Sequence, residues 1–212
     1  MIPFETFGAF FMTAVLLALT PGPDNIFVVT QAALRGKRAG IIVTMGLCCG
    51  VMGHTAAVAL GVAAIFQTSA LAFTLLKYAG AAYLLYLAYG AFRASSEAHP
   101  DSSDPSSKIT VKGQRLFLRG ILMSSTNPKV SIFFLAFLPQ FVDPALGSVT
   151  LQIIQLGSVF ILAAFLIFSL FALMAGRLGQ GLLKSPKGHK IMNRIAGGVF
   201  IALALKLATS NR

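Results

Sequence analysis

Three ionisable side chains sit where the surrounding chain is almost wholly apolar. Asp24 lies in "LTPGPDNIF" (19–27), His54 ends "GLCCGVMGH" (46–54), and Lys129 lies in "SSTNPKVSIFF" (124–134). A charge deep in hydrocarbon costs about 2.5–3.5 kcal/mol on insertion scales, so such residues mark functional sites by default. An anion and a cation held in one apolar setting suit a zwitterion. Lys129 would take its carboxylate, and Asp24 its ammonium. The plain alternative is an Asp24–Lys129 ion pair that locks two parts of the fold together. Imidazole as a group titrates near neutral pH, so His54, with Asp24, is a candidate for proton coupling. Its alternative is a neutral imidazole satisfied by a carbonyl or hydroxyl.

The neighbours of these charges are helix breakers. Pro21, Gly22 and Pro23 precede Asp24, and Pro128 precedes Lys129. Proline has no N–H, so it leaves the carbonyl four residues earlier without its helical donor. That frees the carbonyls of Leu17, Leu19 and Ser124. Unwound backbone at membrane depth is tolerated only where it is buried in protein or lines a cavity. With Pro23 aligned on Pro128, Gly22 falls on Asn127 and Asp24 on Lys129. Asp24 lies 11 residues before Arg35, and Lys129 lies 10 after Arg119. At about 1.5 Å per helical residue, each is roughly 15 Å from the nearest basic flank, near the middle of a hydrocarbon core about 30 Å thick. The breaks therefore read as gating joints (Pro21, Gly22, Pro23, Pro128) around a substrate site. Asp24, Asn25, Ser124, Asn127 and Lys129 are the candidate binding residues.

Two long, interrupted apolar segments must carry that site, and the whole composition agrees. The chain has 212 residues, 56% hydrophobic and only 11% charged, against about 25% charged in soluble domains. Mean hydropathy is +0.80. Six apolar spans are expected, at about 3–33, 40–66, 70–92, 116–141, 149–175 and 191–207. The first has no basic n-region and carries Glu5, so it reads as a membrane helix and not as a signal peptide. The fold class is an all-α integral membrane protein, six transmembrane helices as two inverted three-helix repeats with helices 1 and 4 broken. It forms a single transporter domain: repeat one about 1–93, a cytoplasmic linker about 94–115, and repeat two about 116–212. Close helix approach is expected at Gly46, Gly50, Gly53 and Gly80.

The net charge of +11 is distributed in a way that argues against nucleic acid. Thirteen of the 17 basic residues fall after spans one, three and five, while the stretches after spans two and four carry none. The positive-inside rule then puts both termini outside. Cys48 and Cys49 are adjacent and read as small buried hydrophobes, with no zinc-ligand spacing. No metal site, catalytic residue or cofactor is expected.

"PGPDNIFVVTQAALRGKRAG", "GLCCGVMGH", "KYAGAAYLLYLAYGAFRA", "STNPKVSIFFLAFLPQF" and "SPKGHKIMNRIAGGVF" resemble, in order and over nearly the whole chain, successive signatures of the lysine-exporter superfamily. The nearest branch is the RhtB homoserine/threonine exporter group. The resemblance implies a bacterial inner-membrane protein that exports small amino acids or derivatives, driven by the proton gradient. Its partners would be the amino-acid substrate, membrane lipids and a second copy of the chain as a homodimer. Members of the group vary at the position of Asp24, and many carry an acid near His54 where this chain has none. Two other functions compete. An ion or metal transporter of the same superfamily would draw on Asp24, His54 and the two cysteines. An intramembrane enzyme would need a nucleophile–base pair, and only Ser124, Ser125 and His54 offer one.

Overall fold

In hydrocarbon every backbone N–H and C=O must find its partner inside the segment, so long apolar runs become helices. The computed structural model describes residues 2–68, 70–93, 112–175 and 186–209. Most of the expected linker, and the stretch 176–185 after the fifth span, lie outside the described residues. The described chain is all-helical. It runs α1 (Phe4–Leu19), α2 (Pro23–Arg35), α3 (Lys37–Thr68), α4 (Ala70–Arg93), α5 (Gly113–Thr126), α6 (Pro128–Ile132), α7 (Val149–Met174) and α8 (Pro186–Thr209). Between α6 and α7 the chain passes through a π-helical turn, Phe133–Phe137, and two 3-10 turns, Leu138–Phe141 and Pro144–Leu146.

The breaks fall where proline demands them. α1 stops at Leu19, and Pro23 opens α2. α5 stops at Thr126, and Pro128 opens α6. Proline is preorganised for the first helical position, where its missing N–H costs nothing. α1 and α2 bend by 61°, and α5 and the Pro128–Phe141 segment by 51°. Gly36 joins α2 to α3 with φ +86°, a left-handed backbone that glycine adopts without strain.

Helices lie at all six expected spans. Lys37–Gly61 and Val149–Met174 are each long and apolar enough to cross a membrane, and each bent pair meets the same test as one span, which makes four among the described residues. α4 and α8 occupy the third and sixth positions and pack chiefly on each other.

α3 is the central strut, packed against α5, α7 and α2, while α1 lies on α7. The α3–α5 seam is closed by glycine. A Cβ on Gly120 would stand 2.5 Å from the Val43 carbonyl, and one on Gly50 would stand 2.6 Å from Ser124 Cβ. Gly46 faces Gly120 across the same seam. Gly53 does not take the packing role expected of it, because nothing lies within 4 Å of its Cβ direction. Phenylalanines fill the core beyond the second break. Phe133 meets Phe10, Phe134, Phe137 and Phe160 with ring centroids 5.1–6.1 Å apart.

Candidate functional site

The two breaks meet, and each is capped by side chains from the other half of the chain. The first break leaves the last carbonyls of α1 without helical donors. Lys129 Nζ donates to two of them, Leu17 O at 3.3 Å and Thr20 O at 3.2 Å. Asn25 Nδ2 donates to Ala18 O at 2.7 Å. At the second break, Ser124 O accepts from the Asn127 N–H at 3.1 Å and lies 3.0 Å from His54 Nε2. A carbonyl only accepts, so the proton of His54 is on Nε2 in this contact. Asn127 Oδ1 accepts from the Lys129 N–H at 3.0 Å, and Asn127 Nδ2 donates to Asp24 Oδ2 at 2.8 Å.

Asp24, Asn25, Ser124, Asn127 and Lys129 are all buried, and His54 is half-buried. The structure thus brings the candidate residues of both breaks into one cluster. The freed Leu17 and Ser124 carbonyls find partners. At the end of α1 the other carbonyls engaged are those of Ala18 and Thr20, where Leu19 had been expected. Asp24 and Lys129 form no direct hydrogen bond or ion pair among the described residues, although they lie within Coulombic reach of each other. The Asp24–Lys129 ion pair weighed as the plain alternative is thus not made in this conformation. Lys129 sits at the unfavourable positive end of α6, yet its ammonium reaches the negative end of α1, where a cation is stabilised.

Three buried polar atoms of the cluster have no hydrogen-bond partner among the described residues: Asp24 Oδ1, Asn25 Oδ1 and Ser124 Oγ. Such atoms are rare in folded proteins, and each calls for an explanation. Beside them is a gap of about 10 Å³ lined by Asp24, Ser124 and Lys129 together with Leu47, Val51, Phe160 and other apolar residues. That is about the space of one water, so the site is closed in this conformation.

A larger cavity of about 470 Å³ opens at the start of α1, lined by Glu5, Thr6, Phe137, Gln140, Phe141 and Asp143 among others. The phenylalanine stack runs between the two, since Phe137 lines the large cavity and Phe160 the small gap.

Sequence reasoning missed the main-chain carbonyl of Thr20 as a partner of Lys129. The available signal was Pro21 itself, which ends the helix and leaves the preceding carbonyls open. It also missed Gly22 as a neighbour of Lys129, since a Cβ there would lie 3.0 Å from Nζ. Gln152, a buried polar side chain of α7, finds its partners away from the site, donating to Asp143 O at 2.8 Å and accepting from the Asp143 N–H at 3.0 Å. It pins the turn before α7. Among the described residues no group of three or more His, Cys, Asp or Glu side chains is placed to hold a metal ion.

The LysE type translocator family model matches residues 15–211. The chain belongs to the LysE family. It is 33% identical over 209 residues to the homoserine/homoserine lactone efflux protein of Salmonella typhimurium, covering 98% of each chain. It is 28% identical over 208 residues to the leucine efflux protein of an Enterobacter species, covering 96% of this chain and 95% of that one. An uncharacterized membrane protein of Vibrio cholerae is 30% identical over 202 residues. No solved structure matches. This LysE member is therefore a membrane transporter and not an enzyme.

Proposed function

We propose that this LysE translocator exports a small amino acid or close derivative, of the homoserine, threonine or leucine kind, using the proton-motive force. The observation that carries the reading is the junction of the two breaks. There an acid, a base, freed carbonyls and three unpartnered polar atoms share one closed site. A zwitterion supplies what these groups lack. Lys129 takes the carboxylate, Asp24 with Asn25 and the carbonyls at the end of α1 takes the ammonium, and Ser124 and Asn127 complete the contacts. The names of the relatives, efflux proteins for homoserine, its lactone and leucine, support the substrate class and the direction.

In this reading the two halves are inverted repeats, about 1–93 and 116–212, joined by a cytoplasmic linker in a single transporter domain. The similar bends of 61° and 51° support it. Both termini face outward from the inner membrane, and a homodimer in lipid is the working assembly. Pro21, Gly22, Pro23 and Pro128 are the joints about which the closed site opens. Release runs past the phenylalanine stack into the 470 Å³ cavity. His54, bonded to the freed Ser124 carbonyl, and Asp24 are the groups through which a proton is exchanged for substrate.

Efflux of a labelled amino-acid panel from dipeptide-loaded cells, with and without the protein, tests this. Faster, uncoupler-sensitive efflux of at least one small neutral amino acid is expected. Equal efflux across the whole panel would sink the reading.

A further inference from the structure

We propose that the Lys129 ammonium is a tethered stand-in for the substrate's own ammonium, filling the same carbonyl subsite while the transporter is empty. This rests on reading the junction as an amino-acid site. The geometry makes the case. Lys129 donates to Leu17 O and Thr20 O, and not to the buried Asp24 carboxylate within its Coulombic reach. Those carbonyls close the C-terminal end of a 16-residue helix, which carries about half a negative charge and draws any cation. An ε-ammonium and an α-ammonium are the same donor group, with three N–H bonds each. What the end of α1 offers to one, it offers to the other.

Gly22 is the second observation. Its backbone is extended, with φ −169° and ψ 177°, so glycine is not needed there for conformation. A Cβ at that position would instead stand 3.0 Å from Lys129 Nζ. The chain is bare where an ammonium must fit. Asp24 Oδ1 is left without a partner close by. The subsite is thus complete for one ammonium and occupied by one.

A consequence follows for selectivity. The substrate's ammonium can enter only if Lys129 leaves, and Lys129 leaves a favourable site only for an anion. The substrate's carboxylate is that anion. The empty transporter therefore rejects simple amines, because an amine that displaces Lys129 takes Asp24 for itself and brings no carboxylate to receive the lysine. Removing the Lys129 side chain should abolish that rejection.

The test uses the purified full-length protein in detergent, with thermal stability as the readout. The probes are leucine, 3-methylbutylamine (leucine without its carboxylate) and sodium chloride at matched ionic strength. Wild type should be stabilised by leucine and be indifferent to the amine. Lys129→Ala should be stabilised by the amine beyond the salt control, with an apparent affinity at least about tenfold above wild type, the equivalent of about 1.4 kcal/mol. A folded Lys129→Ala protein that responds to the amine no better than to salt would overturn the stand-in. So would wild type that binds the amine as tightly as leucine, a measurement that does not depend on any variant folding. If wild type responds to none of leucine, threonine and homoserine in the same assay, the export reading fails on its own, while the amine arm on Lys129→Ala still decides this one.

Discussion

Asn127 donates its side-chain amide to the Asp24 carboxylate at 2.8 Å, joining two helix breaks that lie 103 residues apart in the chain. Lys129, two residues on, closes the same junction in the other sense by donating to carbonyls at the end of α1. Each break is held by the other, so neither half of the site exists without its counterpart. Asn127→Ala removes the bond to Asp24 and the cap on the Lys129 N–H together. Leaving a buried group unpaired costs about 1–3 kcal/mol. The melting temperature of the purified variant should fall accordingly, and efflux should fall with it.

Much of this junction was legible in the sequence. Proline chemistry alone located both breaks, and counting back four residues identified Leu17 and Ser124 as carbonyls in need of donors. The partner of Lys129 was not legible. Position along the chain tells that an acid and a base share a depth, but not which way a four-carbon side chain turns once two half-helices meet. The end of α1 competes with Asp24 for the ammonium, and that contest is settled by three-dimensional approach. The glycines of α3 teach the same lesson. Gly46, Gly50 and Gly53 look alike in sequence, yet only the first two face α5. The π-helical turn at Phe133–Phe137 carries no sequence mark that a helical pattern would reveal.

A charge swap separates pairing from capping. If Asp24 and Lys129 chiefly neutralise each other, Asp24→Lys combined with Lys129→Asp should restore transport lost in the single variants. The observed contacts predict no rescue. A carboxylate at 129 would face the Leu17 and Thr20 carbonyls, acceptor against acceptor, and a lysine at 24 would face the Asn127 amide donor. Efflux in the double variant should stay at the level of the worse single change, with Lys129→Ala more damaging than Asp24→Asn. Recovery to wild-type rates would restore the ion-pair view.

The α3–α5 seam holds His54 against Ser124, and it depends on bare backbone. Gly120→Ala would drive a methyl to 2.5 Å from the Val43 carbonyl, which cannot swing aside as a side chain can. Overpacking of this kind costs about 1–3 kcal/mol. Thermal unfolding in detergent should register the loss. Gly53→Ala on the open side of α3 should leave the melting temperature within measurement error.

Orientation can be checked on described residues. With Cys48 and Cys49 replaced, single cysteines at Lys37 and Leu146, both exposed, should differ in their access to a membrane-impermeant maleimide added to intact cells. Labelling is expected at 146 and not at 37. The reverse pattern would turn the protein over in the membrane and exchange the roles assigned to the two faces.

Pro128→Ala tests whether the second break is needed for the transport cycle. The substitution returns an N–H that could donate to Ser124 O and let α5 run on into α6. That carbonyl already accepts from the Asn127 N–H at 3.1 Å and lies 3.0 Å from His54 Nε2. A continuous helix would have to displace both. It would also rotate Asn127 away from Asp24 and carry Lys129 off the end of α1. The gain of a regular helical bond offsets much of what is lost, so insertion and abundance should remain near normal. Efflux should fall by at least about tenfold, the equivalent of about 1.4 kcal/mol, because the groups that recognise the substrate no longer converge. His54 should also lose its carbonyl partner, which an imidazole nitrogen NMR shift in the labelled protein would report. Normal efflux together with an unchanged imidazole signal would show that the 51° bend is a feature of packing alone.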